Sequence, residues 1–246
     1  MSATTFTPLR GRSGAGLALL TAGLCVLGLA ATWVLAELVP ATHVRDAVAL
    51  ADFTRLDHPF VEAPASALLL LLEPPLYIAW GVVLVAVALR RGLPRVAVAV
   101  VPLLVLAPLS AELLKPLLAH SHAHVGFTHI TAASWPSGHA TAVLALVWSA
   151  LLVAPPQLRR MVASIGGVLA VAVGCSLLVL AWHMPSDVLG GYLLATLWAS
   201  LVFAALQAVG PAPCAPGSHR DSDPAPGGPS FAARPRMNSM SESRLR

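Results

Sequence analysis

The chain has 246 residues, of which 57% are hydrophobic and only 11% are charged, and its formal net charge is +4. Soluble domains carry about 25% charged residues, so this composition excludes a water-soluble globular protein and predicts an integral membrane protein. The basic residues stand at the ends of apolar runs and form no patch with aromatic residues, which argues against binding to nucleic acid.

Six apolar segments predict an all-α protein with six transmembrane helices, since a helix needs about 20 apolar residues to cross a bilayer. The segments cover residues 14–39, 75–89, 96–118, 136–153, 161–182 and 186–209. The second segment is short, and it either begins near residue 67 or starts after Glu73, where Pro74 and Pro75 indicate a helix boundary.

The two ends of the chain are predicted to be tails outside this membrane domain of residues 14–209. After residue 209 the chain is rich in Gly, Pro, Ser and Arg, a composition that buries too little apolar surface to fold. Residues 210–246 are therefore predicted to be disordered, and residues 1–13 form a short N-terminal tail. The first apolar run is longer than the core of a cleaved signal peptide, about 7–15 residues, which favours a retained helix.

The charges between the segments predict which ends of the helices face the cytoplasm. Basic residues stand before the first segment, between the second and third, and between the fourth and fifth; they are Arg10, Arg12, Arg90, Arg91, Arg95, Arg159 and Arg160. Basic loops favour the cytoplasmic side, so both tails are predicted to be cytoplasmic. The connection between the first and second segments has a net charge of −3 and is predicted to be an outside loop.

This topology brings three chemically distinctive stretches to the outer face. Lys115 lies in "AELLKPLL", Ser137 lies in "SWPSGHATA", and His183 and Asp187 lie in "AWHMPSDVLGG". Each has a structural interpretation: Lys115 as an interfacial anchor, Ser137 as a helix cap and Asp187 as a first-turn acid.

Each stretch also has a functional interpretation. The backbone at Gly138 leaves room for an anion at a helix N-terminus, where phosphate binds readily, and His139 follows directly. A carboxylate four residues after His183 can orient that imidazole and raise its basicity, as a nucleophile requires.

The loop before the fourth segment contains four histidines, at positions 120, 122, 124 and 129. Such a cluster invites comparison with metal sites, but alternating histidines without cysteines are a weak signal for zinc. The scattered Cys25, Cys175 and Cys214 also form neither a disulfide framework nor a CxxC site. A solvated loop, with no metal and no cofactor, is the prediction.

Taken together, these stretches resemble the type 2 phosphatidic acid phosphatase (PAP2) family, which shares its fold with vanadium haloperoxidases. The family has three motifs: a lysine and, after six residues, Arg-Pro; then PSGH; then Ser-Arg with a downstream His and Asp. Lys115, PSGH at 136–139, Ser176, His183 and Asp187 match, over roughly residues 96–209. The sequence departs from the motifs at two arginines, where His122 and Leu177 stand instead.

The resemblance implies a PAP2-like bundle of six helices with its active site at the extracytoplasmic face of the cell membrane. It implies a metal-independent phosphatase whose partners are membrane lipids and a lipid phosphate of the phosphatidic acid, phosphatidylglycerol phosphate or polyprenyl diphosphate type. The oligomeric state stays open. The alternatives are a weakly active or inactive relative that binds lipid phosphates, and an unrelated membrane carrier.

The resemblance also assigns roles to individual residues. His183 would attack phosphorus and form a phosphohistidine, Asp187 would orient it, and His139 would protonate the leaving group and then activate water. The expected phosphate-binding residues are Lys115, Ser137, Gly138 and His122. Since neither histidine nor leucine reproduces a bidentate guanidinium, we expect weak activity.

Overall fold

The structure is a computed structural model that describes residues 11–119, 130 and 133–209, with side chains from residue 14 onward. The regular elements in these ranges are α1 (Gly11–Trp33) with a π-helical turn (Val34–Leu38), α2 (Pro40–Thr54), α3 (Pro59–Leu70), α4 (Pro74–Arg90), α5 (Pro94–Leu118), α6 (Gly138–Val153), α7 (Arg159–Val179) and α8 (Pro185–Ala208). The predictions for the histidine loop, for residues 1–10 and for residues 210–246 fall outside the described residues.

The helices confirm the prediction of an all-α membrane protein. Four described stretches are long and apolar enough to cross a bilayer, namely Gly14–Leu38, Pro94–Leu118, Arg159–Val179 and Pro185–Ala208. Helices α3 and α4 are together also long and apolar enough to cross a bilayer, but they are bent by 55° relative to each other. Helix α6 is a shorter apolar helix of 16 residues. The count of six spans therefore stays a prediction.

The connection predicted as a loop between the first two spans is instead largely helical. Pro40 and Pro59 each occupy the start of a helix, where proline's fixed φ and missing N–H are tolerated. Leu50 and Leu69 are fully buried against the rest of the bundle. These buried leucines explain why the polar-looking connection folds onto α7.

Helix α6 lies at the centre of the bundle and packs against α5, α7 and α8. Two apolar clusters meet on it, one shared with α2, α3 and α7 and the other with α4, α5 and α8. Many large apolar side chains on α1, α4, α5 and α7 point outward, including Leu27, Val82, Val98 and Val168. In a bilayer this outward surface contacts lipid tails rather than water.

Two adjacent glycines allow α8 to cross the start of α6 at very short range. A Cβ on Gly191 would lie 2.6 Å from the carbonyl oxygen of Ser137, and one on Gly190 would lie 2.7 Å from Nε1 of Trp135. At the same crossing the Ser137 N–H donates to the carbonyl oxygen of Asp187 over 2.9 Å. The "PSGH" and "HMPSD" stretches are thereby held side by side.

We predict that Gly191→Ala lowers the free energy of unfolding by about 1–3 kcal/mol, the usual cost of overpacking. The added methyl group would meet backbone atoms of Ser137 and Thr141, which cannot rotate away. Gly167→Ala on α7 is the matched control, because a Cβ there meets no described atom within 4 Å. Thermal unfolding in detergent measures both, and equal midpoints would contradict the close crossing.

Candidate active site

A cavity of about 1080 Å³ lies between α4, α5, α6 and the turn at residues 180–183. Glu112, Lys115, His139 and His183 line its polar end, and Glu73 lies on the α4 side. The remaining wall is mostly apolar and consists of Leu72, Pro74, Tyr77, Ile78, Leu104, Val105, Pro108, Leu109, Ala142, Leu180 and Trp182, with Gly138 and Ala181 between them. The three sequence-predicted stretches thus line one cavity, whose wall has a charged part and an apolar part.

His183 and Asp187 form a buried pair at the start of α8. Nδ1 of His183 lies 3.2 Å from Oδ2 of Asp187, and the same oxygen accepts the N–H of Met184 over 2.9 Å. Asp187 is almost fully buried, so its carboxylate depends on these two donors. With Nδ1 engaged as a donor, Nε2 is the ring nitrogen of His183 that is left for chemistry.

The turn after α7 sets the position of His183. Ala181 adopts a left-handed conformation with φ of 53°, and the Trp182 N–H donates to the carbonyl oxygen of Leu177 over 2.9 Å. This reversal ends α7 and brings the next residues back over the cavity. The indole of Trp182 also contacts the ring of His139 edge-on, with centroids 5.8 Å apart.

The start of α6 carries the second stretch, as predicted. Ser137 is the N-cap: its buried side chain accepts the N–H of Ala140 over 3.4 Å, and its carbonyl oxygen accepts the hydroxyl of Thr141 over 2.7 Å. Gly138 and His139 form the first turn and line the cavity. The hydroxyl of Ser137 is therefore engaged in the cap, while its neighbours face the chamber.

Lys115 lies near the end of α5 and lines the polar end of the cavity. Its ammonium donates to Oε1 of Glu112 over 2.6 Å. The same carboxylate oxygen lies 2.7 Å from the position that a Cβ on Gly138 would occupy. Glu112 therefore touches both groups that the sequence predicts to bind phosphate.

Of the two positions that depart from the PAP2 motifs, Leu177 and His122, only Leu177 lies among the described residues. Leu177 is fully buried in the apolar cluster with Val143 and Val173 rather than in the cavity wall. The hydroxyl of Ser176 donates to the carbonyl oxygen of Ala172 within α7. His122, the other departure and a predicted phosphate ligand, lies outside the described residues.

Sequence reasoning missed Glu73 and Glu112 in the cavity wall and Asp46 beside the cavity. Glu112 had a local signal, since it stands three residues before Lys115, the spacing of helical ion pairs. Asp46 had none: it lies on α2, yet Ser186 donates to it through its N–H over 3.2 Å and through its hydroxyl over 2.6 Å. Asp46 thus anchors the first turn of α8 beside the His183–Asp187 pair.

Residues 96–211 match the model of the PAP2 superfamily, which confirms the predicted resemblance over that segment. The crystal structure of the first transmembrane PAP2 type phosphatidylglycerolphosphate phosphatase from Bacillus subtilis matches with a TM-score of 0.61, 21% identity, and coverage of 82% of this chain and 98% of that chain. At this identity the likeness concerns the fold. No curated protein matches the chain.

We predict a pH-dependent stability from Asp46. Burial raises the pKa of this carboxyl group, as does the nearby Asp187, while the hydrogen bonds from Ser186 partly offset that rise. The folded protein therefore holds the Asp46 proton more tightly than the unfolded chain does. This contribution to stability is complete below the unfolded pKa, about 3.9, and is lost as pH rises through the higher folded pKa.

Asp46→Asn should consequently become more stable relative to the unmodified protein as pH rises from about 4 towards neutrality. Weaker hydrogen bonds between Ser186 and the substituted side chain change the free energy of unfolding by an amount that does not depend on pH. Chemical unfolding across this pH range measures the difference. Asp52→Asn is the control, since Asp52 is an exposed residue of the same helix paired with Arg55. A difference that does not change with pH would contradict the prediction.

Proposed function

We propose that this membrane protein of the PAP2 superfamily hydrolyses a phosphomonoester or diphosphate of a lipid through a phosphohistidine intermediate. One observation carries the proposal. His183, paired with the buried Asp187, lines the same cavity as His139 and Lys115, and most of the remaining cavity wall is apolar. This arrangement fits an amphiphile with a phosphate headgroup. The two histidines and the lysine suit the phosphate, and the apolar wall suits the hydrocarbon chain.

In the first half of the proposed reaction, Nε2 of His183 attacks phosphorus and the bond from phosphorus to the leaving oxygen breaks. His139 donates a proton to that oxygen, which departs as an alcohol or a phosphate. The Nδ1–H of His183 donates to Asp187, which stabilises the positive charge that develops on the imidazole. The result is a phosphohistidine and a neutral His139, ready to act as a base.

In the second half, His139 takes a proton from water, whose oxygen attacks the phosphohistidine. The bond between phosphorus and nitrogen breaks, inorganic phosphate leaves, and His183 regains its lone pair. Phosphoryl transfer depends mainly on positioning and on charge stabilisation. In this proposal Lys115 and the first-turn N–H groups at Gly138 neutralise the phosphoryl oxygens, Ser137 maintains that helix start, and His122 adds a contact from the loop.

The apolar wall supports a lipid substrate. On α5 the lining residues run from Leu104 to Lys115, a rise of about 17 Å at 1.5 Å per residue. That length accommodates much of a fatty acyl or prenyl chain below a headgroup at Lys115. Phosphatidylglycerol phosphate is the first substrate to test, because the matching Bacillus subtilis structure is of a phosphatidylglycerolphosphate phosphatase; phosphatidic acid and polyprenyl diphosphate follow.

The proposed location is the cell membrane, with the cavity open to the outside and both termini in the cytoplasm. The support is the distribution of arginines between the predicted spans. A site on the outer face would act on lipids of the outer leaflet. Lys115, His139 and His183 line one cavity, which supports the proposal that all three face the same side of the membrane.

We predict that His183→Ala abolishes hydrolysis of lipid phosphate and that His139→Ala lowers kcat by about 10²–10⁴-fold, the usual contribution of a general acid–base group. Phosphate release by purified protein in mixed micelles measures this. His58→Ala is the control, because His58 is the exposed N-cap residue of α3 and does not line the cavity. Unchanged rates in His183→Ala would refute the proposal, and lipid binding without turnover in the unmodified protein would favour the non-enzymatic alternative.

We also predict that hydrolysis needs no divalent metal. Attack by His183 on phosphorus uses only side chains, and no cluster of three or more His, Cys, Asp or Glu suited to a metal occurs among the residues that the structure describes. Rates measured in excess chelator should equal those with added magnesium or zinc. Loss of activity in chelator, restored by either ion, would show that the histidine loop holds a metal.

A further inference from the structure

The carboxylate of Glu112 lies where the proposed reaction needs a phosphoryl group. Its Oε1 is 2.6 Å from the ammonium of Lys115 and 2.7 Å from the position of a Cβ on Gly138. The ammonium itself lies 3.8 Å from that same position. The Lys115 ammonium and the start of α6 are the two groups suited to bind an anion. Both already contact the carboxylate of Glu112.

This contact differs from an ordinary ion pair on a helix surface. Arg55 and Asp52 form such a pair at the same spacing on α2, with side-chain exposures of 79% and 61%. In the cavity the exposures are 21% for Lys115 and 58% for Glu112. The lysine side chain is largely enclosed while the glutamate side chain is more than half exposed, so Glu112 is the more accessible of the two to an incoming anion.

The charges in the cavity wall also disfavour the binding of an anion. Lys115 is the single Lys or Arg among the described lining residues, against the two carboxylates of Glu112 and Glu73. Apart from the histidines, this wall carries a net charge of −1. An anionic phosphate therefore enters a site whose cation is neutralised, and like charges at contact distance repel appreciably even in water.

We propose that Glu112 is a resident anion that occupies the phosphoryl subsite when the cavity is empty and that it selects lipid-anchored phosphates over soluble ones. This inference rests on the proposed function. To bind, a phosphate displaces Glu112 from Lys115 and from the start of α6. A headgroup tethered to an apolar chain gains burial along α5 that offsets the displacement, whereas inorganic phosphate has no chain.

Two consequences follow for the reaction. Soluble phosphomonoesters bind poorly, because the polar end alone cannot overcome the carboxylate. The inorganic phosphate produced by hydrolysis also leaves readily, since Glu112 returns to Lys115 once the lipid chain has gone. Glu112 is in this sense a specificity-determining residue and takes no part in proton transfer.

Equilibrium binding of inorganic phosphate to the purified full-length protein in detergent tests the proposal without using activity. Glu112→Gln and Glu112→Ala should each bind phosphate about fivefold more tightly or better, the ratio expected from removing one like charge at contact distance in water. Glu73→Gln is the matched control, because it removes the same charge from the same cavity and should give a smaller gain.

The gain must also depend on the lysine. In the Lys115→Met background, Glu112→Gln should tighten phosphate binding by a smaller factor, because no ammonium is left to release and only the repulsion between carboxylate and phosphate is removed. Kinetically, Glu112→Gln should lower the KM for a short-chain soluble phosphomonoester more than the KM for the lipid phosphate.

Phosphate affinity that is unchanged or weaker in both Glu112 variants would overturn the proposal, as would a gain that persists undiminished without Lys115. Neither result bears on the proposed function, which stands or falls with lipid hydrolysis and its loss in His183→Ala. Conversely, tighter phosphate binding in a protein without turnover would retain the role of Glu112 and refute only the catalysis.

Discussion

The close crossing of α8 over the start of α6 is the constraint on which the site depends. It exists because Gly190 and Gly191 carry no side chains, so the α8 backbone can approach that of Ser137. The bond from the Ser137 N–H to the Asp187 carbonyl then ties two motif segments together. Without that approach, the His183–Asp187 pair and the N-terminus of α6 would lie farther apart.

Much of this arrangement could be predicted because its signals are local. Apolar runs predicted the membrane helices, Ser137 in front of an apolar segment predicted a cap, and a four-residue spacing predicted the His183–Asp187 pair. The cap and the pair each depend on residues within one helical turn of each other. The predicted topology also indicated that these stretches lie near one another, because alternating spans return every second connection to the same side of the membrane.

The remaining features depend on contacts between distant segments, which no local pattern encodes. Asp46 anchors α8 from a helix 140 positions earlier in the chain, in a stretch that looked like a connecting loop. Leu177 occupies the position of a motif arginine, yet its side chain belongs to an apolar cluster formed with α2, α3 and α6. Glu112 was visible as a helical neighbour of Lys115, but its approach to Gly138 required the packing of α5 on α6.

The cavity wall has a consequence for how reaction rates should be expressed. Ile78, Val105 and Leu109 line the cavity and are large, exposed apolar side chains, and in a bilayer such side chains contact lipid tails. In the proposed reaction, a lipid substrate that reaches the cavity along these side chains does not pass through bulk water. Its effective concentration is its mole fraction in the leaflet, and diluting it with inert lipid slows turnover even when the total amount per volume is constant.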